Sequence, residues 1–147
     1  MSATGLDVFD TTLQKTHIWL NEISEIMGED RQTAWVVLGA VLRAIRDRLP
    51  VELAANLSAQ LPLLVRGAYY DQFNPSVQPL TYRSLDEFLT EVTTRMRTAK
   101  PVDPRAATHA VFGVLTRHLT PEQIEKVRHA LPEDVRAAWP IVMPAGP

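Results

Sequence analysis

From Asp7 to Met27, Phe9, Leu13, Leu20, Ile23 and Met27 recur with the period of an amphipathic helix, and Trp19 and Ile26 widen the apolar stripe. Gly28 stops this helix, and Asp30 stands where an N-cap for the next one belongs. Ala34, Val37, Leu38, Val41, Leu42, Ile45 and Leu49 then form a continuous apolar face. Arg43, Arg46, Asp47 and Arg48 crowd the last two turns, where cations suit the helix dipole. Pro50 or Val51 opens a third helix through Leu53, Ala54 and Leu57 to about Gln60. A fourth element runs from Pro62 to Tyr70 with Leu64, Val65 and Ala68 inward.

Between Asp71 and Tyr82 the helical period disappears, and Asn74, Pro75, Ser76 and Pro79 mark an irregular connection. Ser84 followed by Glu87 has the form of a capping box and opens a helix with Leu85, Phe88, Leu89, Val92 and Met96 on one face. Asp103 as N-cap and Pro104 as first helical residue start another helix, carrying Ala107, Ala110, Val111, Val114, Leu115 and His118. Thr120 with Gln123 is a second capping box, opening Pro121 to about Ala130 with Ile124 and Val127 inward. Leu131-Pro132 then breaks the chain as Leu61-Pro62 does. No segment alternates long enough for a strand, so the fold class is all-α.

The stretch from Ala40 to Tyr70, set seventy positions ahead, falls without a gap on Ala110 to Pro140. Ala40, Val41, Leu49, Glu52, Leu61, Pro62, Val65, Arg66 and Ala68 recur as Ala110, Val111, Leu119, Glu122, Leu131, Pro132, Val135, Arg136 and Ala138. Leu42/Phe112, Ile45/Leu115, Leu57/Val127 and Tyr69/Trp139 keep apolar character while changing shape. The expectation is one compact helical domain over 1–147, built by internal duplication. Two multi-helix halves, about 7–70 and 84–139, would be related by a pseudo-twofold axis and joined by an aromatic, Pro-containing linker at 71–83. A half alone buries little apolar area, and packing two together covers both faces.

Composition narrows the function classes. The formal charge of -2 gives no whole-protein field to recruit nucleic acid or an anionic membrane, and the lack of cysteine removes disulfides, thiolate metal sites and thiol nucleophiles. The longest apolar segment, Ala34 to Leu42, is far short of the roughly 20 residues that span a bilayer. No basic region followed by an apolar run opens the chain, so a cytoplasmic location is expected. Nucleophile-elbow, Walker and dinucleotide-binding signatures are missing, which speaks against a phosphate-cradling loop.

The motif Leu61-Pro62-Leu63-Leu64-Val65-Arg66-Gly67-Ala68-Tyr69-Tyr70-Asp71, preceded by Arg46-Asp47-Arg48-Leu49-Pro50, resembles the bacterial domain of unknown function family 2267 (DUF2267). The Phe88-Leu89 helix, the Ala110-Val111-Phe112 helix and the Leu131-Pro132 turn fit it too, so the likeness covers nearly the whole chain. It implies an all-helical protein of unsettled function, and no catalytic residue is carried over from it. Where the family commonly has Trp in the aromatic motif, this chain has Phe73, which keeps an apolar ring.

Two constellations stand out as candidate binding residues. Tyr69, Tyr70, Asp71, Phe73 and Tyr82 gather rings beside the linker, either as a ligand or peptide surface or as a seal between the halves. Arg66 and Arg136 are the repeated cations, suited to clamping an anion or, since Glu52 and Glu122 recur with them, to structural ion pairs. His17, His109, His118 and His129 show no metal-ligand spacing, and Glu22, Glu25, Glu125 and His129 read as solvated helix faces, so no metal or cofactor is expected. Arg43, Arg46, Arg48, Arg95, Arg97 and Lys100 carry a weak nucleic-acid reading that the helix dipole already explains. The expectation is a non-catalytic interaction or ligand-binding module for a protein or small molecule, acting through the linker or a groove between the halves. An enzyme or metal-dependent binder without a legible site is the competing class.

Overall fold

The computed structural model describes residues 4–98 and 100–140. Those residues form eight α-helices and one 3-10 turn, with no strand among them: α1 (Asp7–Met27), α2 (Arg31–Arg48), α3 (Val51–Ser58), α4 (Leu63–Tyr70), the 3-10 turn Pro75–Val77, α5 (Leu85–Arg95), α6 (Pro104–His118), α7 (Pro121–Ala130) and α8 (Glu133–Arg136). The helix starts and stops follow the caps. Gly28 closes α1 at φ 69°, the left-handed region a glycine enters without penalty. The Asp30, Ser84, Asp103 and Thr120 side chains accept from the N–H of Thr33, Glu87, Arg105 and Gln123.

α2 is the centre of the bundle. It packs against α1, α4, α5 and α6, while α6 packs against α1, α2, α5 and α7. The burial of α2 goes beyond the face expected from its spacing: Ala40 and Ala44 are also fully covered, because a helix with neighbours on several sides needs small residues where backbones approach. One apolar cluster runs through every helix, from Trp19 and Ile23 through Leu42 and Tyr69 to Phe88, Phe112 and Trp139.

Two expectations change in α1 and α7. The N-terminal half of α1 turns Thr12 and Thr16 inward and leaves Phe9 48% exposed, and Ile26 in the last turn is exposed as well. The cause lies in α4, which Pro62 begins without a capping side chain. Its orphaned Leu64 N–H donates instead to Thr12 Oγ1 at 3.1 Å, which fixes the rotation of α1. The second capping box is also shared across the molecule. Thr120 N donates to Gln60 Oε1 (3.1 Å) and Gln60 Nε2 to Thr120 Oγ1 (3.2 Å), so the turn after α3 supplies what Gln123 was expected to supply.

The linker is strapped to the end of α2. Gln78 Nε2 donates to Arg46 O and Leu49 O (2.6 and 2.7 Å), and Leu80 N donates to Asp47 O (2.7 Å), covering carbonyls that a helix C-terminus leaves open. Arg46, 3% exposed, works in the other direction. Its Nη1 donates to Tyr69 O (2.7 Å) and Asp71 O (2.8 Å), and its Nε to Asp47 Oδ1 (2.8 Å). Replacing Arg46 by Met should lower the unfolding free energy by about 3 kcal/mol, measured by urea denaturation. The change leaves both carbonyls and one side of Asp47 without a donor, and a loss below about 1 kcal/mol would show that the guanidinium does not hold this junction.

Candidate functional site

Where α2, α4, α5 and the start of the linker meet, they enclose a pocket of about 540 Å³ lined by Trp35, Val36, Gly39, Arg43, Arg46, Asp47, Ala68, Asp71, Gln72, Thr94, Arg95 and Arg97. Four arginines face it, and their partners divide them sharply. Arg46 is spent on carbonyls and Asp47. Arg95 Nη2 donates to Asp47 Oδ2 (2.6 Å) and its Nη1 pairs with Glu91. Burial pulls the Arg95 pKa down, but the hydrogen bonds to Glu91 and Asp47 outweigh it and leave a net upward shift.

Arg43 is the opposite case. Among the described residues its guanidinium reaches only Ala68 O at 3.5 Å and Asp71 Oδ2 at 3.8 Å, both long for a charge-assisted hydrogen bond. Its side chain is 20% exposed, whereas that of Asp71 is 61% exposed. Burial holds the Arg43 pKa below the ordinary arginine value. Asp71 opposes that shift, and the like charges of Arg46 and Arg95 add to it. The guanidinium lies over Gly39, where a Cβ would stand 2.7 Å from Arg43 Nη2. Arg97 is exposed and makes no hydrogen bond or ion pair among the described residues. Gln72, at the lip, holds φ 58°, a left-handed conformation uncommon for a residue with a side chain.

The aromatic residues singled out in the sequence separate into two groups. Tyr69 is fully buried with its hydroxyl donating to Ala54 O (2.7 Å), and Tyr82 is buried with its hydroxyl 3.2 Å from Ala44 O. Tyr70 and Phe73 are half-buried, packed on each other at 5.6 Å, and the Arg46 guanidinium lies 5.2 Å from the Phe73 ring centre. Tyr70 also donates to Ser58 Oγ (2.9 Å). Of this set only Asp71 lines the pocket.

Arg66 and Arg136 are not paired with Glu52 or Glu122 among the described residues. Arg66 donates from Nε to Ser58 O (2.9 Å) and from Nη2 to Leu61 O (3.1 Å). Arg136 does the same to Arg128 O (3.0 Å) and Leu131 O (3.2 Å). Each donates to one carbonyl in the last turn of α3 or α7 and to one just beyond it.

A second groove, of about 640 Å³, lies between α1 and the α3–α4 turn and includes Arg66, Trp19 and His118. Three of its polar groups are already engaged: Thr12 with Leu64 N, Arg66 with carbonyls, and His118 with Glu22 Oε2 (2.8 Å) while stacked on Trp19 at 5.3 Å. Glu22, expected on a solvated face, also pairs with Arg117 at 3.2 Å and so ties α1 to α6. Among the described residues no three His, Cys, Asp or Glu side chains gather to hold a metal ion, and no helix is long and apolar enough to cross a membrane.

The cations of the arginine pocket were visible in the sequence as helix-end charges, but their grouping was not. Arg43 comes from α2 and Arg97 from the segment after α5, far apart in the chain. One signal was available: Gly39 sits four residues before Arg43, on the same helical face, and gives the guanidinium room to fold back.

An all-helical bundle with one arginine-rich pocket beside an internal linker is the class these observations define. The chain belongs to the family of uncharacterized conserved proteins DUF2267, whose model matches residues 16–138. No curated protein matches the chain.

Burial pushes the Tyr69 and Tyr82 phenols well above the ordinary tyrosine value. The unfolded chain releases these protons from about pH 10, while the folded chain retains them. Stability from both groups is therefore full below that pH and declines as pH rises above it. An alkaline absorbance titration should show both phenols ionising only together with loss of the helical circular dichroism signal. Early, reversible ionisation of all three tyrosines in the folded protein would contradict the seal they are assigned.

Proposed function

We propose that this protein is a non-catalytic, helical ligand-binding module of the bacterial cytoplasm, and that its ligand enters the pocket between α2, α4, α5 and the linker. The observation that carries this reading is Arg43, a half-buried cation with no partner at normal hydrogen-bond distance among the described residues. A cation withdrawn from water without full compensation is costly, and the fold does not depend on it as it depends on Arg46. The lining supports binding rather than turnover. Asp47 is held by Arg46 and Arg95, and the Thr94 hydroxyl donates to Thr90 O at 2.9 Å, so neither is free to act as base or nucleophile.

Internal duplication about a pseudo-twofold axis belongs to the same proposal. Exchanging α1 with α5 and α2 with α6 carries the packing of α2 on α5 onto that of α6 on α1, and α1 on α4 onto α5 on α8. The matched carbonyl contacts of Arg66 and Arg136 support it further. Arg66→Ala and Arg136→Ala should each cost about 2 kcal/mol in chemical denaturation, since each removes a charged donor from the same two kinds of carbonyl. A large loss for one and none for the other would count against equivalent roles.

The binding reading is tested by screening metabolites, nucleotides and metals for a raised melting temperature of the full chain, then mapping any hit by amide and indole chemical shifts. A ligand specific for the native state must raise apparent stability. The expected hit perturbs Trp35 and Gln72. Hits that perturb only α1 and α3 would move the site to the other groove, and turnover of a hit would overturn the non-catalytic assignment.

A further inference from the structure

Resting on that reading of the pocket, the geometry points to its ligand class: we infer that it takes a small molecule carrying an oxyanion, phosphate or carboxylate, on a planar ring. The oxyanion stands between Arg43 and Arg97 and the ring lies against Trp35. The donors decide the first part. Among the described residues Arg43, directed by its packing over Gly39, reaches no acceptor closer than 3.5 Å, and Arg97, on the same lining, makes no ion pair. A guanidinium recognises a two-oxygen edge through parallel N–H donors, which Lys would not reproduce.

The second part follows from Trp35. It remains 37% exposed on the lining of a pocket, on a helix whose Val37, Leu38, Val41, Leu42 and Ile45 are fully buried. Indole faces offer large contact area at little conformational cost, and ring stacking adds to burial. A volume of about 540 Å³ also exceeds what an inorganic oxyanion alone would fill.

Asp71 acts within this arrangement as a weak internal occupant. Its carboxylate stands 3.8 Å from Arg43, mostly in solvent, and an incoming oxyanion displaces it. The chain thereby lowers its own affinity and keeps Arg43 oriented when the pocket holds no ligand.

The test titrates phenyl phosphate, benzoate, inorganic phosphate and uncharged phenol into the full chain, read by calorimetry and by the Trp35 indole signal, which Trp35→Phe identifies. Phenyl phosphate or benzoate should bind, shift that signal and lose about tenfold or more in affinity in Arg43→Gln and in Arg97→Gln. Gly39→Ala should weaken binding while the circular dichroism spectrum keeps its helical form, since alanine favours the helix but its Cβ displaces the guanidinium. Asp71→Asn should tighten binding several-fold. Preference for phenyl phosphate over benzoate identifies a phosphate source, the reverse a carboxylate, and either supports the oxyanion class. Equal affinity for inorganic phosphate would remove the ring, and unchanged affinity in Arg43→Gln would overturn the inference. If phenol alone binds at Trp35, the pocket reading stands and the oxyanion inference fails. If neither these probes nor the wider screen move Trp35, both fail.

Discussion

A single buried guanidinium, Arg46, sets the geometry on which the rest of the molecule depends. The short helix α4 ends against α2 with its carbonyls facing protein, and a helix C-terminus cannot be buried without donors. Arg46 supplies them to Tyr69 O and Asp71 O, and Asp47 supplies its counter-charge. Removing a guanidinium from water costs several kcal/mol, so this arrangement adds little net stability. What it adds is position. Asp47 is also held by Arg95, and through that link α5 is placed against α2 at a fixed depth. The linker, the end of α4 and the wall of the pocket are thus located by one residue.

Local signals in the sequence specified the helices well because caps act locally. Gly28, Asp30, Ser84, Asp103 and Thr120 each mark a boundary through hydrogen bonds to residues two to four positions away. The rotation of α1 was not legible for the complementary reason. Phe9 and Leu13 satisfy helical periodicity as well as Thr12 and Thr16 do, and the choice between the faces is made by Leu64 N, some fifty residues away. The ion pairs expected for Arg66 and Arg136 failed similarly. Co-recurrence of Glu52 and Glu122 suggested charge partners, but open carbonyls at the ends of α3 and α7 lie closer and need donors more.

The aromatic linker shows how one sequence feature can hold two physical roles. Tyr69 and Tyr82 spend their hydroxyls on carbonyls of α3 and α2 and belong to the core. Phe73 and Tyr70 form a partly exposed pair under Arg46, and Asp71 leaves the core for the pocket. The segment therefore fastens α2 to α4 on one side while presenting a carboxylate on the other. Residue type alone does not separate these roles. The direction of each side chain does.

Comparison of positions seventy apart isolates what folding requires from what it does not. Arg66 has its counterpart in Arg136, and both cover carbonyls, so the fold accounts for them. Arg46 faces Thr116, and the difference follows from local need: α4 runs for eight residues and ends against α2, whereas α8 runs for four. Arg43 faces Gly113 and Trp35 faces Arg105. Among the described residues Arg43 reaches no carbonyl closer than Ala68 O at 3.5 Å, and Trp35 stays 37% exposed. A half-buried cation without a close partner costs free energy. Arg43 and Trp35, which the packing does not account for, line one pocket, and the proposed binding site rests on that coincidence.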